Sequence, residues 1–91
     1  MPRYMVERTF AGGFRISLDE QGAQACSEMI ATNAKSGVTW IRSYLSADHR
    51  KMFCIYDGSA PEAIRESAQS NNLPIDDITV VCVLDPYFYR E

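Results

Sequence analysis

Hydrophobic and polar residues follow one another along the chain in a pattern that predicts four strands and two helices. Four segments rich in apolar and β-branched side chains predict the strands: Arg3–Phe10, Val38–Ser46, Lys51–Asp57 and Ile78–Leu84. Between them, residues 17–35 and 59–70 carry apolar or small side chains at helical spacing. The predicted order is therefore strand, helix, strand, strand, helix, strand.

Capping residues predict where the two helices begin and end. Ser17 and Glu20 have the spacing of a capping box, in which each side chain binds the backbone amide of the other residue. Gly37 is placed to end this helix in the left-handed conformation. Ser59 as a cap and Pro61 in the first turn predict the start of the second helix.

This order of elements is the signature of an α+β, ferredoxin-like βαββαβ fold. Right-handed crossovers place both helices on one face of a four-stranded antiparallel sheet, with strands 1 and 3 at its centre. Ninety-one residues make one domain, residues 1–91. The aromatic tail Pro86–Tyr89 is able to add a further C-terminal strand to this fold.

The sheet face without helices needs another cover, and we expect a second copy of the chain to supply it. The segment Ile78–Leu84 is apolar almost throughout, which is typical of a strand buried on both faces, yet the topology places it at an edge. The tail Pro86–Tyr89 adds three aromatic residues that also need a surface to pack against. Isolated domains seldom expose this much apolar surface, so the sequence predicts a homodimer.

Composition argues against two classes of partner and indicates the cellular compartment. The net charge is −3 and no basic cluster occurs, so we expect no nucleic-acid partner. No apolar run reaches the roughly 20 residues that span a bilayer, so we expect no membrane partner. The first ten residues carry charges and lack a signal-peptide core, and the three well-separated cysteines form no CxxC motif. We therefore expect a cytoplasmic protein with free thiols.

The hairpin at residues 37–58 holds the candidate site residues. A four-residue turn pairs Ser43 with Cys54 and Tyr44 with Phe53. In that register Ser43 and Cys54 share a face with Ile41 and Tyr56, while the other face carries Trp40, Arg42, Tyr44 and Asp57. A shift by one residue would regroup all of them, and the turn leaves the register open.

Several residues of the predicted sheet offer chemistry. Arg42 is a candidate partner of Asp57 and, between aromatic rings, a candidate anion-binding group. Glu7 on the central first strand is a candidate general base, with Tyr44 or Tyr56 as the proton donor to an oxyanion. Edge-strand arginines and strand glutamates are also commonly solvated, so structural roles stay open for Arg42 and Glu7.

Asp48 and His49 in the hairpin turn are candidate metal ligands. Imidazole and carboxylate suit nickel or zinc, although two ligands are too few without a second subunit. A plain polar turn is the alternative interpretation. The only histidine lies at the turn tip, so we do not expect it to activate Cys54, and the chain contains no P-loop, GxGxxG, GxSxG or HExxH motif.

The chain resembles a family of small bacterial ferredoxin-like proteins of unknown function, one of which is described as nickel-binding. The resemblance covers nearly the whole chain and rests on residues 3–8, 40–44, 48, 54–56, 63–65 and 73–74. It implies a dimeric ferredoxin-like fold with a capacity for Ni²⁺ or another divalent ion at the dimer surface. It also implies a shared ligand pocket, because the polar and aromatic candidates fall on its motif positions: Glu7, Trp40, Ser43, Tyr44, Cys54 and Tyr56.

Three functions agree with these observations. The first is a dimeric protein that binds a small ligand or a divalent metal. The second is a small cofactor-free enzyme of isomerase or oxygenase type, by analogy with the fold. The third is a structural or regulatory partner domain, in which the hairpin serves only as an interface.

Overall fold

A four-stranded antiparallel sheet and two helices make up the computed structural model, which describes residues 1–88. The elements in chain order are β1 (Arg3–Thr9), α1 (Glu20–Lys35), β2 (Thr39–Leu45), β3 (Lys51–Asp57), α2 (Pro61–Ser70) and β4 (Asp77–Val81), followed by a 3₁₀ turn at Pro86–Phe88. The strand order is β2-β3-β1-β4. The predicted α+β, ferredoxin-like fold with β1 and β3 at the centre is confirmed.

Alternation along the two central strands separates a buried sheet face from an open one. On β1 the side chains of Tyr4, Val6 and Arg8 are buried, and on β3 those of Met52, Cys54 and Tyr56 are buried. The residues between them are only half-buried. The helices cover the buried face, and Ile64 of α2 completes the hydrophobic core there.

The start of α1 differs from the predicted capping box. The N-cap is Asp19, whose carboxylate accepts from the backbone amide of Gly22 at 3.1 Å and from the Ser17 hydroxyl at 2.6 Å. The Ser17 carbonyl lies so close to Gly22 that a Cβ there would be 1.6 Å from it. The prediction of Ser17 as the cap is therefore wrong, and this close approach explains why glycine occupies the third position of the helix.

The second helix and the last strand also begin or end differently from the prediction. Ala60 is the N-cap of α2 and makes no side-chain capping bond, so Ser59 is not the cap. Strand β4 ends at Val81 rather than at Leu84. No further strand follows between residues 82 and 88, and Tyr89 lies outside the described residues.

A β-bulge in β2 changes which residues share a face. Ser43 pairs with Cys54 and Tyr44 with Phe53, as predicted, but the register shifts between Trp40 and Arg42. The extra residue turns Trp40 toward the helix side, so the prediction that Trp40 shares a face with Tyr44 is wrong.

The predicted pair between Arg42 and Asp57 is also not formed. Instead Asp57 accepts two hydrogen bonds from the guanidinium of Arg3, at 2.8 and 3.1 Å, on neighbouring β1. Arg42 is exposed on the open face of the sheet. Within residues 1–88, no helix is long and apolar enough to cross a membrane.

Candidate functional site

A cavity of about 190 Å³ lies between α1 and the helix side of β2 and β3. Its helix wall is formed by three residues at helical spacing, Cys26, Met29 and Asn33. Its sheet wall is formed by Trp40, Ser43, Leu45, Met52, Cys54 and Tyr56, and the connecting segments add Phe14, Ile16, Asn71 and Leu73. The lining is almost entirely apolar, so the polar atoms that it contains are the ones able to orient a ligand.

Two of the polar lining groups close the cavity where the helices approach each other. Asn33 is buried on α1, and its side-chain oxygen accepts a hydrogen bond of 3.0 Å from the Asn71 amide at the end of α2. The two amides therefore partly satisfy each other and hold the helices together at this end of the cavity.

A chain of hydrogen bonds runs across the sheet wall. The Trp40 indole Nε1–H donates to Ser43 Oγ at 2.8 Å, and the Ser43 hydroxyl donates to Cys54 Sγ at 3.0 Å. The bulge makes this chain possible, because it turns Trp40 to the same face as Ser43. Tyr56 lies two residues beyond Cys54 on the same, buried face of β3.

The guanidinium of Arg8 lies behind Tyr56 and is buried, with 1% of the residue exposed. It donates to the Tyr56 hydroxyl at 3.0 Å and to the Pro74 carbonyl at 2.7 Å, and its carbon lies 5.9 Å from the centre of the tyrosine ring. Its Nε has no hydrogen-bond partner, and within residues 1–88 no carboxylate forms an ion pair with it. A buried cation held only by neutral acceptors is uncommon, which makes this arrangement a functional candidate.

Arg8 was not among the candidates from the sequence. It shares its strand parity with Tyr4 and Val6, both of which are buried. A charged residue at an apolar position of a central strand was therefore the signal that would have identified it.

Burial raises the pKa of Tyr56 to about 12, with a further contribution from the neighbouring Cys54 thiol, while Arg8 opposes the rise. Tyr56 is therefore a neutral phenol at physiological pH. Because it accepts a hydrogen bond from a charged donor, its own hydroxyl is a strengthened hydrogen-bond donor.

The structure brings four of the six candidate pocket residues together and separates the other two. Trp40, Ser43, Cys54 and Tyr56 line the cavity, as described above. Glu7 and Tyr44 lie on the open face, on either side of Phe53. Because neighbouring strands are about 4.8 Å apart, Glu7 and Tyr44 are about 10 Å apart. Neither tyrosine lies close to Glu7, so the arrangement does not assemble the acid–base pair considered from the sequence.

Asp48 and His49 lie together at the hairpin turn, away from the cavity. His49 adopts a left-handed backbone with φ of 63°, and its Nδ1 lies 3.1 Å from the Phe14 carbonyl. The Asp48 carboxylate accepts from the Arg50 amide and the Ser46 hydroxyl, and these bonds lower the pKa of Asp48. Among the described residues, no group of three or more histidine, cysteine, aspartate or glutamate side chains is placed to hold a metal ion.

Comparison with known proteins finds one family model and one solved structure that match this chain. A family model described as "Nickel responsive protein SCO4226-like" matches residues 4–81. The crystal structure of SCO4226 from Streptomyces coelicolor A3(2) superposes with a TM-score of 0.72 at 17% sequence identity, over 91% of this chain and 99% of that one. At this identity the superposition shows the shared fold. No curated protein matches.

The raised pKa of Tyr56 predicts how stability changes at alkaline pH. Between pH 10 and about 12 the unfolded chain loses the Tyr56 proton while the folded chain retains it. The stabilisation from this group is therefore full below pH 10 and is lost as pH rises toward 12. We expect Tyr56→Phe to cost about 1–3 kcal/mol of unfolding free energy at neutral pH, because Arg8 loses an acceptor.

Denaturant unfolding of both proteins from neutral to alkaline pH checks this prediction. The difference in unfolding free energy between wild type and Tyr56→Phe is expected to shrink as the pH rises above 10. The matched control is Tyr44→Phe, which removes a tyrosine hydroxyl from a position that is 56% exposed. If the difference in unfolding free energy between the two proteins stays constant across this pH range, the prediction is contradicted.

Proposed function

This chain belongs to the SCO4226-like family of nickel responsive proteins, and we propose that it is a binding protein whose cavity holds a compact, mostly apolar ligand. The observation that carries the proposal is the apolar cavity of about 190 Å³ with a hydrogen-bonded chain on one wall. An apolar cavity of about 150 Å³ in another protein binds benzene, so this one accommodates a ring of six or seven heavy atoms.

Energetics also favour an occupant. The cavity is partly open, and its apolar lining is in contact with solvent. Removing apolar surface from water is favourable by about 25 cal/mol per Å², so a ligand that covers this lining gains binding energy from apolar contacts.

The geometry weakens the interpretation of the hairpin as a pure interface. That interpretation requires Trp40, Tyr44 and Tyr56 to be fully buried with no cavity beside them. Trp40 is instead only half-buried, and Trp40 and Tyr56 both line the cavity. A binding function explains the space beside these side chains, whereas an interface alone does not.

Filling the cavity by mutation tests the proposed binding function. We expect methylenecyclohexane to shift the indole N–H resonance of Trp40, the only tryptophan in the chain, and to raise the melting temperature of the wild type. Cys26→Phe places a ring in the cavity and is expected to abolish both effects. Ser27→Phe, at an exposed neighbouring position on α1, is the matched control and should retain them. Equal responses in the two variants, or none in the wild type, would refute the proposal.

The open face supports a homodimer as part of this proposal. Large apolar side chains on this side of the sheet are exposed in the single chain, among them Tyr44 at 56% and Val83 at 53%. Met5 and Ile55 line a shallow depression of about 430 Å³ on the same side of the sheet as Tyr44. A second copy packed on this face would bury these groups together, as expected for a two-fold interface.

Nickel binding is a second candidate function, and the name of the family favours it. If Nδ1 of His49 donates its proton to the Phe14 carbonyl, Nε2 carries the lone pair that a metal requires. Asp48 is the adjacent carboxylate. Because the described part of one chain brings too few ligands together, Ni²⁺ would require donors from a second copy.

One chromatography experiment tests the dimer and the nickel site separately. Size-exclusion chromatography with light scattering at micromolar concentration is expected to give twice the monomer mass, both in EDTA and after loading with Ni²⁺. Metal analysis of the eluted peak should find nickel in the wild type and none in His49→Ala, with the dimer retained. A monomer mass would contradict the dimer, and equal nickel content in both proteins would contradict a role for His49.

We also propose a cytoplasmic location, which the free cysteines support. Cys26, Cys54 and Cys82 are free thiols in the structure. The cytosol keeps such thiols reduced, so a cytoplasmic location fits both the free cysteines and an unoxidised Cys54 at the cavity wall.

A further inference from the structure

Sulfur-containing side chains are concentrated at one place in this structure. The chain has three cysteines and four methionines, and two of each line the cavity between α1 and the sheet: Cys26, Met29, Met52 and Cys54. Both of these cysteines are free thiols. The lining, which is otherwise almost entirely apolar, therefore carries two thiols and two thioethers.

The four sulfur-containing side chains lie on two different walls of the cavity. Cys26 and Met29 are three residues apart on α1, so they are neighbours on the side of the helix that lines the cavity. Met52 and Cys54 are two residues apart on the buried face of β3, about 7 Å along the strand. A methionine side chain has three rotatable bonds, so each thioether is able to turn toward an ion that enters between the walls.

The chemistry of these donors favours a soft, monovalent metal ion. Thiolate and thioether ligands suit Cu(I), and the described lining residues include no imidazole or carboxylate, the groups that suit Ni²⁺. The balance of charge points to the same ion. One thiolate neutralises one Cu(I) and the thioethers are neutral, so no net charge is placed in the apolar cavity.

Cys54 is the thiol best placed to supply the thiolate. Its Sγ accepts a hydrogen bond of 3.0 Å from the Ser43 hydroxyl, which itself accepts from the Trp40 indole at 2.8 Å. Hydrogen bonds to an ionised acceptor are stronger than those to a neutral one, so this chain of bonds stabilises the deprotonated sulfur. On metal binding the S–H bond is replaced by an S–Cu bond and the proton leaves to solvent, with no transfer of electrons.

We propose that the cavity binds one Cu(I) ion through the Cys54 thiolate and the thioethers of Met29 and Met52. Cys26 supplies a further sulfur on the helix wall. The inference goes beyond the proposed function, since it depends on the cavity but not on an organic ligand. The site is also separate from His49, which lies at the hairpin turn. Because Cu(I) and methylenecyclohexane need the same space, each is expected to exclude the other.

Anaerobic titration with Cu(I), in competition with a chromophoric Cu(I) chelator, tests the inference. All proteins carry Cys82→Ala, which removes the exposed thiol outside the cavity. We expect the parent protein to bind Cu(I) with an ultraviolet thiolate-to-Cu(I) charge-transfer band, release of about one proton and a shift of the Trp40 indole N–H resonance. Loss of an outer-shell partner typically lowers metal affinity about 10–100-fold, and Cys54→Ala, which removes a ligand, is expected to cost at least as much.

The methionines provide a second variant that changes the volume of the side chains little. Met29→Leu combined with Met52→Leu removes both thioethers, so it is informative even if Cys54→Ala folds poorly. We expect this double variant to lower the affinity for Cu(I) by about tenfold or more. Met5→Leu makes the same change on the open face and should leave the affinity unchanged.

The outcomes separate the copper site from the proposed function. Absence of Cu(I) binding to the parent protein would overturn the copper site, as would an unchanged affinity in Cys54→Ala and in the double methionine variant. The response to methylenecyclohexane is measured in parallel on copper-free protein. If only this response is observed, the proposed function stands without the copper site. If only Cu(I) binds, the copper site stands and the proposed function fails.

Discussion

The buried guanidinium of Arg8 is the interaction on which the rest of the structure depends. It joins three parts of the chain: β1, which carries it, β3 through the Tyr56 hydroxyl, and the connection before β4 through the Pro74 carbonyl. That connection also supplies Leu73 to the cavity lining. Since a buried cation is costly unless its hydrogen bonds are made, the segments that accept from it are held in place, and with them one side of the cavity.

The fold could be predicted from the sequence because it follows from periodicity and turn length. Alternation identified β1 and β3, and a four-residue turn predicted the pairing of Ser43 with Cys54 as one of two registers, which the structure confirms. The bulge in β2 could not be predicted, because one extra residue in a strand leaves the pattern of apolar residues nearly unchanged. It nevertheless decides that Trp40 faces the cavity. The start of α1 was also misjudged, because Ser17 and Asp19 are both good caps, and the pattern does not show that the Ser17 carbonyl closely approaches Gly22.

Part of the candidate site could be predicted, because residues of equal parity on one strand share a face. Cys54 and Tyr56 share a parity on one strand, so they stay together in any register, whereas Ser43 joins them only in the register that the structure shows. Glu7 was grouped with them because it falls on a motif position of the family, yet its parity on β1 places it on the open face. Arg8 was overlooked because a charged strand residue is usually solvated, and only the three-dimensional packing shows that its partners are a phenol and a carbonyl.

The central claim is that Arg8 and Tyr56 act as one unit beneath the cavity, and a double-mutant cycle measures it most directly. Unfolding free energies of wild type, Arg8→Met, Tyr56→Phe and the double variant give the coupling between the two side chains. If the account is correct, the coupling is about 1–3 kcal/mol, because removal of either partner leaves the other buried and unsatisfied. Effects that add to within about 0.5 kcal/mol would show that the two groups are independent and would contradict the account.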